Sequence, residues 1–275
     1  MTNRAIAIFD SGEGGLTVLR RAWELYPGEH FIYGADSLHF PYGTRTLDDV
    51  RELFFRFLDF FLKQNVKAVV IACNTATAAA LELSQLKSPV PVIGVVYPGA
   101  QKATQTSQTG HIGVLSTQAT FASGVYRKAI ERYNPEAYVV QWPCPALVTM
   151  AEMGNTQTRQ ARLAVRECLD VVFSHDVDTV VLGCTHFPHM ERIFYEEVGD
   201  RAAIIDPGYE TAKHLQNVLG PLDTLSRGSL SFYTTGSIVE FNRISTSLWP
   251  DTVIEAQNVK WTPFGYEICE SYQQY

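Results

Sequence analysis

The feature that most constrains this chain is a series of short, uninterrupted apolar runs separated by stretches of helical length. The runs are Ala5–Phe9, His30–Tyr33, Ala68–Ala72, Val92–Val96, Ile112–Ser116, Tyr138–Gln141, Thr179–Gly183 and Ala202–Ile205. A strand with one wet face alternates apolar and polar residues, whereas a strand buried on both faces reads as a continuous apolar run. Continuous runs alternating with helices therefore predict a parallel sheet covered by helices, an α/β fold. The helices carry signals of their own. Asp48–Gln64 sets its phenylalanines along one broad face, and Gln157–Phe173 has Thr158 ahead of its apolar stripe to cap the first turn.

At 275 residues the chain has room for one large domain or two modest ones, each able to bury a core without disulfide or metal staples. Two breaks divide it. At Tyr97-Pro98-Gly99 a strand stops and proline can open a helix, and at Asp206-Pro207-Gly208 the chain can return. The expected organisation is a first lobe of residues 1–97 plus 209–275 and a second of residues 98–208. The weaker strand Leu230–Thr234 and the tail through Trp261 complete the first lobe. A short internal repeat supports two related lobes: Val69-Val70-Ile71-Ala72-Cys73-Asn74-Thr75 aligns with Val180-Val181-Leu182-Gly183-Cys184-Thr185-His186. The two cysteines are 111 residues apart. Each is expected at the carboxyl end of a strand, where α/β sheets place their ligand crevice.

Lys and Arg number 22 against 29 Asp and Glu, a formal net charge of −7, with no basic stripe. Phosphate affinity is built from clustered cations, so neither nucleic acid nor an anionic membrane is an expected partner. Only Ala5 to Phe9 form an apolar stretch ahead of Asp10, too short for a signal peptide or a membrane span, which makes the cytoplasm the expected compartment. The five cysteines are odd in number, widely spaced and without a Cys-x-x-Cys pair. Free thiols are expected, with Cys144, Cys168 and Cys269 structural.

Asp10-Ser11-Gly12-Glu13-Gly14-Gly15 follows a strand and precedes a helix, so its backbone N–H groups could hold an anionic group or simply turn the chain. It is not a dinucleotide fingerprint, because Thr17 stands where the last glycine belongs, and no Gly-Lys-Ser/Thr phosphate loop exists. A lone cysteine is usually a small buried hydrophobe. Cys73 and Cys184 differ in being followed by polar residues that packing does not require, Asn74-Thr75 and Thr185-His186, and in preceding a helix whose N-terminus can lower a thiol pKa. His186 and His189 stand near Cys184, but Pro188 interrupts their spacing and no carboxylate motif completes a ligand set, so no metal site is read there. No lysine occupies a recognisable Schiff-base setting, and no cofactor is indicated.

Asp10-Ser11-Gly12 with Gly14-Gly15-Leu16, Ala35-Asp36, Phe40-Pro41-Tyr42-Gly43, Ala72-Cys73-Asn74-Thr75-Ala76, Pro98-Gly99-Ala100 and Leu182-Gly183-Cys184-Thr185-His186-Phe187-Pro188 form a set. In order and spacing it resembles the glutamate racemases of the cofactor-independent aspartate/glutamate racemase superfamily, over about residues 5–212. The resemblance implies two pseudosymmetric lobes, each a mostly parallel sheet flanked by helices, with the active site in the cleft between them. It implies two cysteines as opposed acid and base, Cys73 deprotonating the D-enantiomer and Cys184 the L-enantiomer. Asp10 and His186 would assist them, with Glu152 on the Cys184 side. The implied substrate contacts are Ser11, Tyr42, Gly43, Asn74, Thr75, Thr117, Thr120 and Thr185, together with Asp10 and His186 themselves. Three residues depart from the pattern: Glu13 stands where an apolar residue is expected, Thr77 where serine is usual, and Tyr97 is unusual before Pro-Gly.

Inverting an α-carbon means removing a proton from one face and delivering one to the other, which two opposed groups do while the substrate stays bound. A thiol suits both roles because its neighbours tune its pKa. Without a pyridoxal electron sink, the carbanion relies on hydrogen bonds to the α-carboxylate and on a site closed against water. What the resemblance implies as function is interconversion of L- and D-glutamate by a homodimer, supplying D-glutamate for peptidoglycan synthesis. Other readings are a racemase of aspartate or another amino acid, an amino-acid binding protein with two lobes around a cleft, and a metal- or thiol-dependent hydrolase using Cys184 and His186 as nucleophile and base. The lack of a signal peptide and the paired cysteines weigh against the binding protein.

Overall fold

The computed structural model describes residues 4–250 and 252–269. The chain begins with β1 (Ile6–Asp10), α1 (Leu16–Leu25), β2 (His30–Ala35), α2 (Leu47–Lys63), β3 (Ala68–Ile71), α3 (Asn74–Lys87) and β4 (Val92–Gly94). Helix α4 (Val96–Thr106) leads to β5 (His111–Ser116), α5 (Gln118–Ser123), α6 (Val125–Tyr133), β6 (Tyr138–Pro143) and α7 (Pro145–Glu152). Then come α8 (Arg159–Phe173), β7 (Thr179–Gly183), α9 (Glu191–Val198) and β8 (Ala203–Ile205). Helix α10 (Pro207–Leu219) leads back to β9 (Ser229–Thr234), α11 (Ile238–Leu248), β10 (Ala256–Thr262) and β11 (Gly265–Ile268).

Two sheets result among the described residues, one of seven strands in the order β11-β10-β9-β2-β1-β3-β4 and one of four in the order β6-β5-β7-β8. Every pairing is parallel except the edge hairpin of β10 and β11. Within the larger sheet, β2-β1-β3-β4 repeats the order of the smaller one. Cys73, after β3, and Cys184, after β7, therefore hold equivalent places in two α/β units.

The continuous apolar runs are explained by where alternate side chains go. In β1, Ile6 and Ile8 enter a core layer with α1 and α10, while Ala7 and Phe9 enter a layer on the other face with α2 and α3. In β7, Val180 and Leu182 face α7, α8 and α9, and Val181 faces α4 and α6. Helix α2 is capped by Thr46, whose hydroxyl accepts the Asp49 N–H, with acidic residues in its first turn and Lys63 in its last. It buries Phe54, Phe57, Phe60 and Phe61, each worth about 1.5–3 kcal/mol of apolar burial. Thr158 caps α8 as its sequence predicts, accepting the Ala161 N–H at 3.1 Å. The two crossings between sheets come together where α4 packs on α10, so closely that a Cβ on Gly99 would lie 2.8 Å from Pro207.

The structure corrects several expectations. Strand β4 stops at Gly94, and Val96 already belongs to α4, so Pro98 lies within the first turn, where its missing N–H has no intrahelical partner to lose. Helix α11 and the strands β10 and β11 come without a continuous apolar run. The hairpin is at the sheet edge, and in β10 only Ala256 and Val259 are buried, so its sequence reads as mostly polar. Cys144 and Cys168 are joined as a disulfide, contrary to the expectation of free thiols. Their 24-residue separation gives no pairing signal; packing of α7 on α8 brings their Cα atoms to 6.3 Å. Residues 1–3, 251 and 270–275 of the expected first lobe lie outside the described residues.

Candidate functional site

Cys73 and Cys184 line one cavity of about 140 Å³, walled by residues from both sheets. Cys73 ends the loop after β3 and is the N-cap of α3, its sulfur accepting the Ala76 N–H at 3.4 Å and lying 3.8 Å from Ser11 Oγ. Asp10, fully buried at the end of β1, accepts N–H bonds from Gly12 at 3.2 Å and Gly15 at 3.1 Å. Its other oxygen accepts from Thr185 Oγ1, across from the smaller sheet, at 3.3 Å. Burial pushes the Asp10 carboxyl up to about 6, against the pull of the charge on His186 and of the two N–H donors. Burial, and after it the nearby Asp10 charge, push the Cys73 thiol well up, so that it holds its proton.

Cys184 has different company. Its sulfur lies 3.7 Å from His186 Nδ1, and the imidazole's Nε2 is hydrogen-bonded to Glu152 at the end of α7. Burial works against charge on His186, but the bonds to Cys184 and Glu152 outweigh it and raise the imidazole pKa well above its usual value. Burial likewise opposes charge on Glu152, but its bond to His186 holds it below the usual carboxylate range. The chain reaches this ring only because residue 14 is glycine: a Cβ there would lie 2.6 Å from it. His189 is different, since burial and then the charge of His186 push it down to about 3 and leave it neutral.

Hydroxyls make the third part of the wall. Thr75 Oγ1 lies 3.0 Å from both Thr117 Oγ1 and Thr120 Oγ1, joining α3 to the cap of α5. Gly43 abuts Thr117, which a Cβ would meet at 2.9 Å. Asn74 accepts the Tyr126 hydroxyl at 2.7 Å, and the buried Tyr42 hydroxyl donates to Asp36 at 2.6 Å. Among the described residues, no Lys or Arg is on the cavity wall. A ligand carboxylate would meet hydroxyls and the N–H groups at the start of α3, where the helix dipole favours an anion.

Of the residues singled out by sequence, Ser11, Tyr42, Gly43, Asn74, Thr75, Thr117, Thr185 and His186 are on the wall with the two thiols. Asp10, Thr120 and Glu152 are not, and stand behind residues that are. Sequence inspection missed the apolar side of the cavity, Phe40, Pro145 and Val148, because nothing in a loop or a helix start distinguishes such residues from packing. It also missed Glu13 as a neighbour of Glu152, although a charged residue in an apolar position was a signal. Among the described residues no group of three or more His, Cys, Asp or Glu is arranged to hold a metal ion.

Two parallel α/β units that bring a thiol each to a shared cavity define a class, and comparison gives it a family: the chain belongs to the Asp/Glu/Hydantoin racemase family, whose model matches residues 17–215. It is 45% identical over 263 residues to the glutamate racemase of Symbiobacterium thermophilum, covering 94% of this chain and 95% of that one. Its fold matches the crystal structure of glutamate racemase isoform RacE1 from Bacillus anthracis with a TM-score of 0.89, at 35% identity, covering 94% and 97% of the two chains. It matches glutamate racemase from Francisella tularensis in complex with D-glutamate with a TM-score of 0.86, at 29% identity, covering 94% and 98%.

Proposed function

We propose that the protein interconverts L- and D-glutamate without a cofactor, using Cys73 and Cys184 as its two proton-transfer groups. The observation that carries this is the pair of thiols at equivalent strand ends, from two sheets, on the wall of one cavity. In the L-to-D direction Cys184 removes the α-proton and Cys73 delivers its own to the opposite face. In the D-to-L direction the roles exchange. His186, anchored by Glu152, offsets the negative charge that builds on Cys184 when it acts as base, and Asp10 assists Cys73. Ser11, Asn74, Thr75, Thr117 and Thr185, with the N-terminus of α3, hold the carboxylates and the charge that develops as the α-proton leaves. Thr120 holds Thr75 and Thr117 in place, and Tyr42 and Gly43 close the wall.

Glutamate as substrate is supported by the relative and the neighbours named above, one of which holds D-glutamate. Family resemblance further supports a cytoplasmic homodimer that supplies D-glutamate for peptidoglycan. No helix among the described residues is long and apolar enough to cross a membrane. The test is kcat/KM for glutamate and aspartate with no pyridoxal phosphate or metal added. Glutamate is expected to be preferred by about 100-fold, because a side chain one methylene shorter displaces Cα from the thiols. A preference for aspartate overturns the substrate, and an absence of turnover with either overturns the function in favour of a binding protein.

A further inference from the structure

Behind the Cys184 side of the cavity lies a carboxyl that proton transfer between the thiols leaves unused. Glu13, in the turn between β1 and α1, is only 4% exposed. It accepts from Ser37 Oγ at 3.0 Å and is paired with Glu152, the carboxylate that holds His186; Oε1 of Glu152 reaches the same turn, 3.5 Å from where a Cβ on Gly12 would lie. Two carboxyl groups that share a hydrogen bond in a buried site cannot both be ionised at low cost, so one keeps a proton and donates it. His186 decides which: it engages Glu152 directly, so Glu152 stays the anion and Glu13 the acid. A chain then runs from Ser37 through Glu13, Glu152 and His186 to Cys184. An apolar residue at position 13, which the sequence pattern leads one to expect, would end that chain at Glu152.

We propose that Glu13 is a positioning residue for racemisation: its protonated carboxyl donates to Glu152, and so fixes the carboxylate that orients and charges the imidazole beside Cys184. The proposal rests on the two-thiol reading. Burial, with the Glu152 charge after it, pushes Glu13 up to about 8, so its proton is present at neutral pH and is lost on the alkaline side. The ionisable groups acting on this chain come from every element around it: Asp10 at the end of β1, Tyr33 on β2, Glu152 on α7, and Cys184, His186 and His189 beyond β7. When Glu13 ionises, two carboxylates face each other and the hold on His186 weakens.

The experiment measures kcat and KM in both directions from pH 6 to 9.5 for the wild type, Glu13→Gln, Glu13→Val and Cys184→Ala. Glu13→Val is expected to lose kcat by about 10- to 100-fold with KM changed by less than about threefold, as for a misplaced catalytic group. Glu13→Gln, whose amide still donates to Glu152, is expected to recover most of that loss and to move the alkaline limb up by about one pH unit. Wild-type kcat and pH profile in Glu13→Val overturn the proposal. So do equal losses in both Glu13 variants with the alkaline limb unmoved, the result of a merely structural role. If Glu13→Val does not fold, an unmoved limb in Glu13→Gln alone overturns it. Activity in Cys184→Ala overturns the two-thiol reading itself, whereas an inactive Cys184→Ala beside wild-type behaviour at position 13 overturns only the role of Glu13.

Discussion

Cys73 and Cys184 stand at the same point of two repeated α/β units, yet their surroundings differ. Around Cys73 are a buried carboxylate, Asp10, the Ser11 hydroxyl and the N–H groups that open α3. Around Cys184 are an imidazole and behind it the carboxylates Glu152 and Glu13. Strand order repeats the place of the thiol without repeating its electrostatics. In the proposed transfer the two directions start with opposite thiols protonated, so unequal surroundings are no condition of reversibility; they bear on which starting state the free site prefers. Asp10 and burial favour the proton on Cys73, while the charged His186 can offset negative charge at Cys184.

The comparison breaks most visibly at the thiols. Cys73→Ala and Cys184→Ala are each expected to lose racemisation by about 1,000-fold or more while substrate still protects the protein against heat, because neither face of Cα has a second base. Near wild-type turnover in either variant would remove the equivalence of the two sites. Changing the partners sharpens the asymmetry instead. Asp10→Asn and His186→Asn are expected to cost about 10- to 100-fold in kcat, unequally in the two directions, although the two kcat/KM values stay equal because enantiomers have an equilibrium constant of one. Equal losses in both directions for both variants would make these side chains supports of the fold alone.

The smallest effect separates the two sides by pH. Asp10 and Glu13 both have their carboxyl pKa raised in the folded chain, to about 6 and about 8, from ordinary values of 3.8 and 4.5. The folded state binds these protons more tightly than the unfolded one. The stability they contribute is therefore complete below the ordinary values and is lost as pH rises through about 6 for Asp10 and about 8 for Glu13. Melting temperature is expected to fall by about a few degrees less in Asp10→Asn than in the wild type between pH 4 and 7, and in Glu13→Gln between pH 5 and 9. Parallel curves for all three proteins would contradict these protonation states.

Where the sequence was legible, the reason was burial on two faces. Strands such as Ala68–Ile71 and Thr179–Gly183 must be apolar throughout, so their ends, and the cysteines beyond them, could be placed to within a residue or two. The strand Ala256–Thr262, in the hairpin at the sheet edge, has no such constraint and stayed hidden. Cys144 and Cys168 were unreadable as a pair because helix packing, not spacing, joins them. Glu13 was legible only as an anomaly, since its partner Glu152 lies on a helix of the other α/β unit.

The assignment of one thiol to each face of Cα is tested most directly by the first moments of reaction in D2O, with each enantiomer of glutamate in turn and proton NMR of the α-position. With two thiols, the abstracting sulfur takes up the substrate's α-proton and the opposite one delivers solvent deuterium. The product enantiomer is therefore expected to carry deuterium from the first turnover while the remaining substrate keeps its proton. Transfer of the original α-proton into product, or equal early labelling of both enantiomers, would mean that a single group serves both faces.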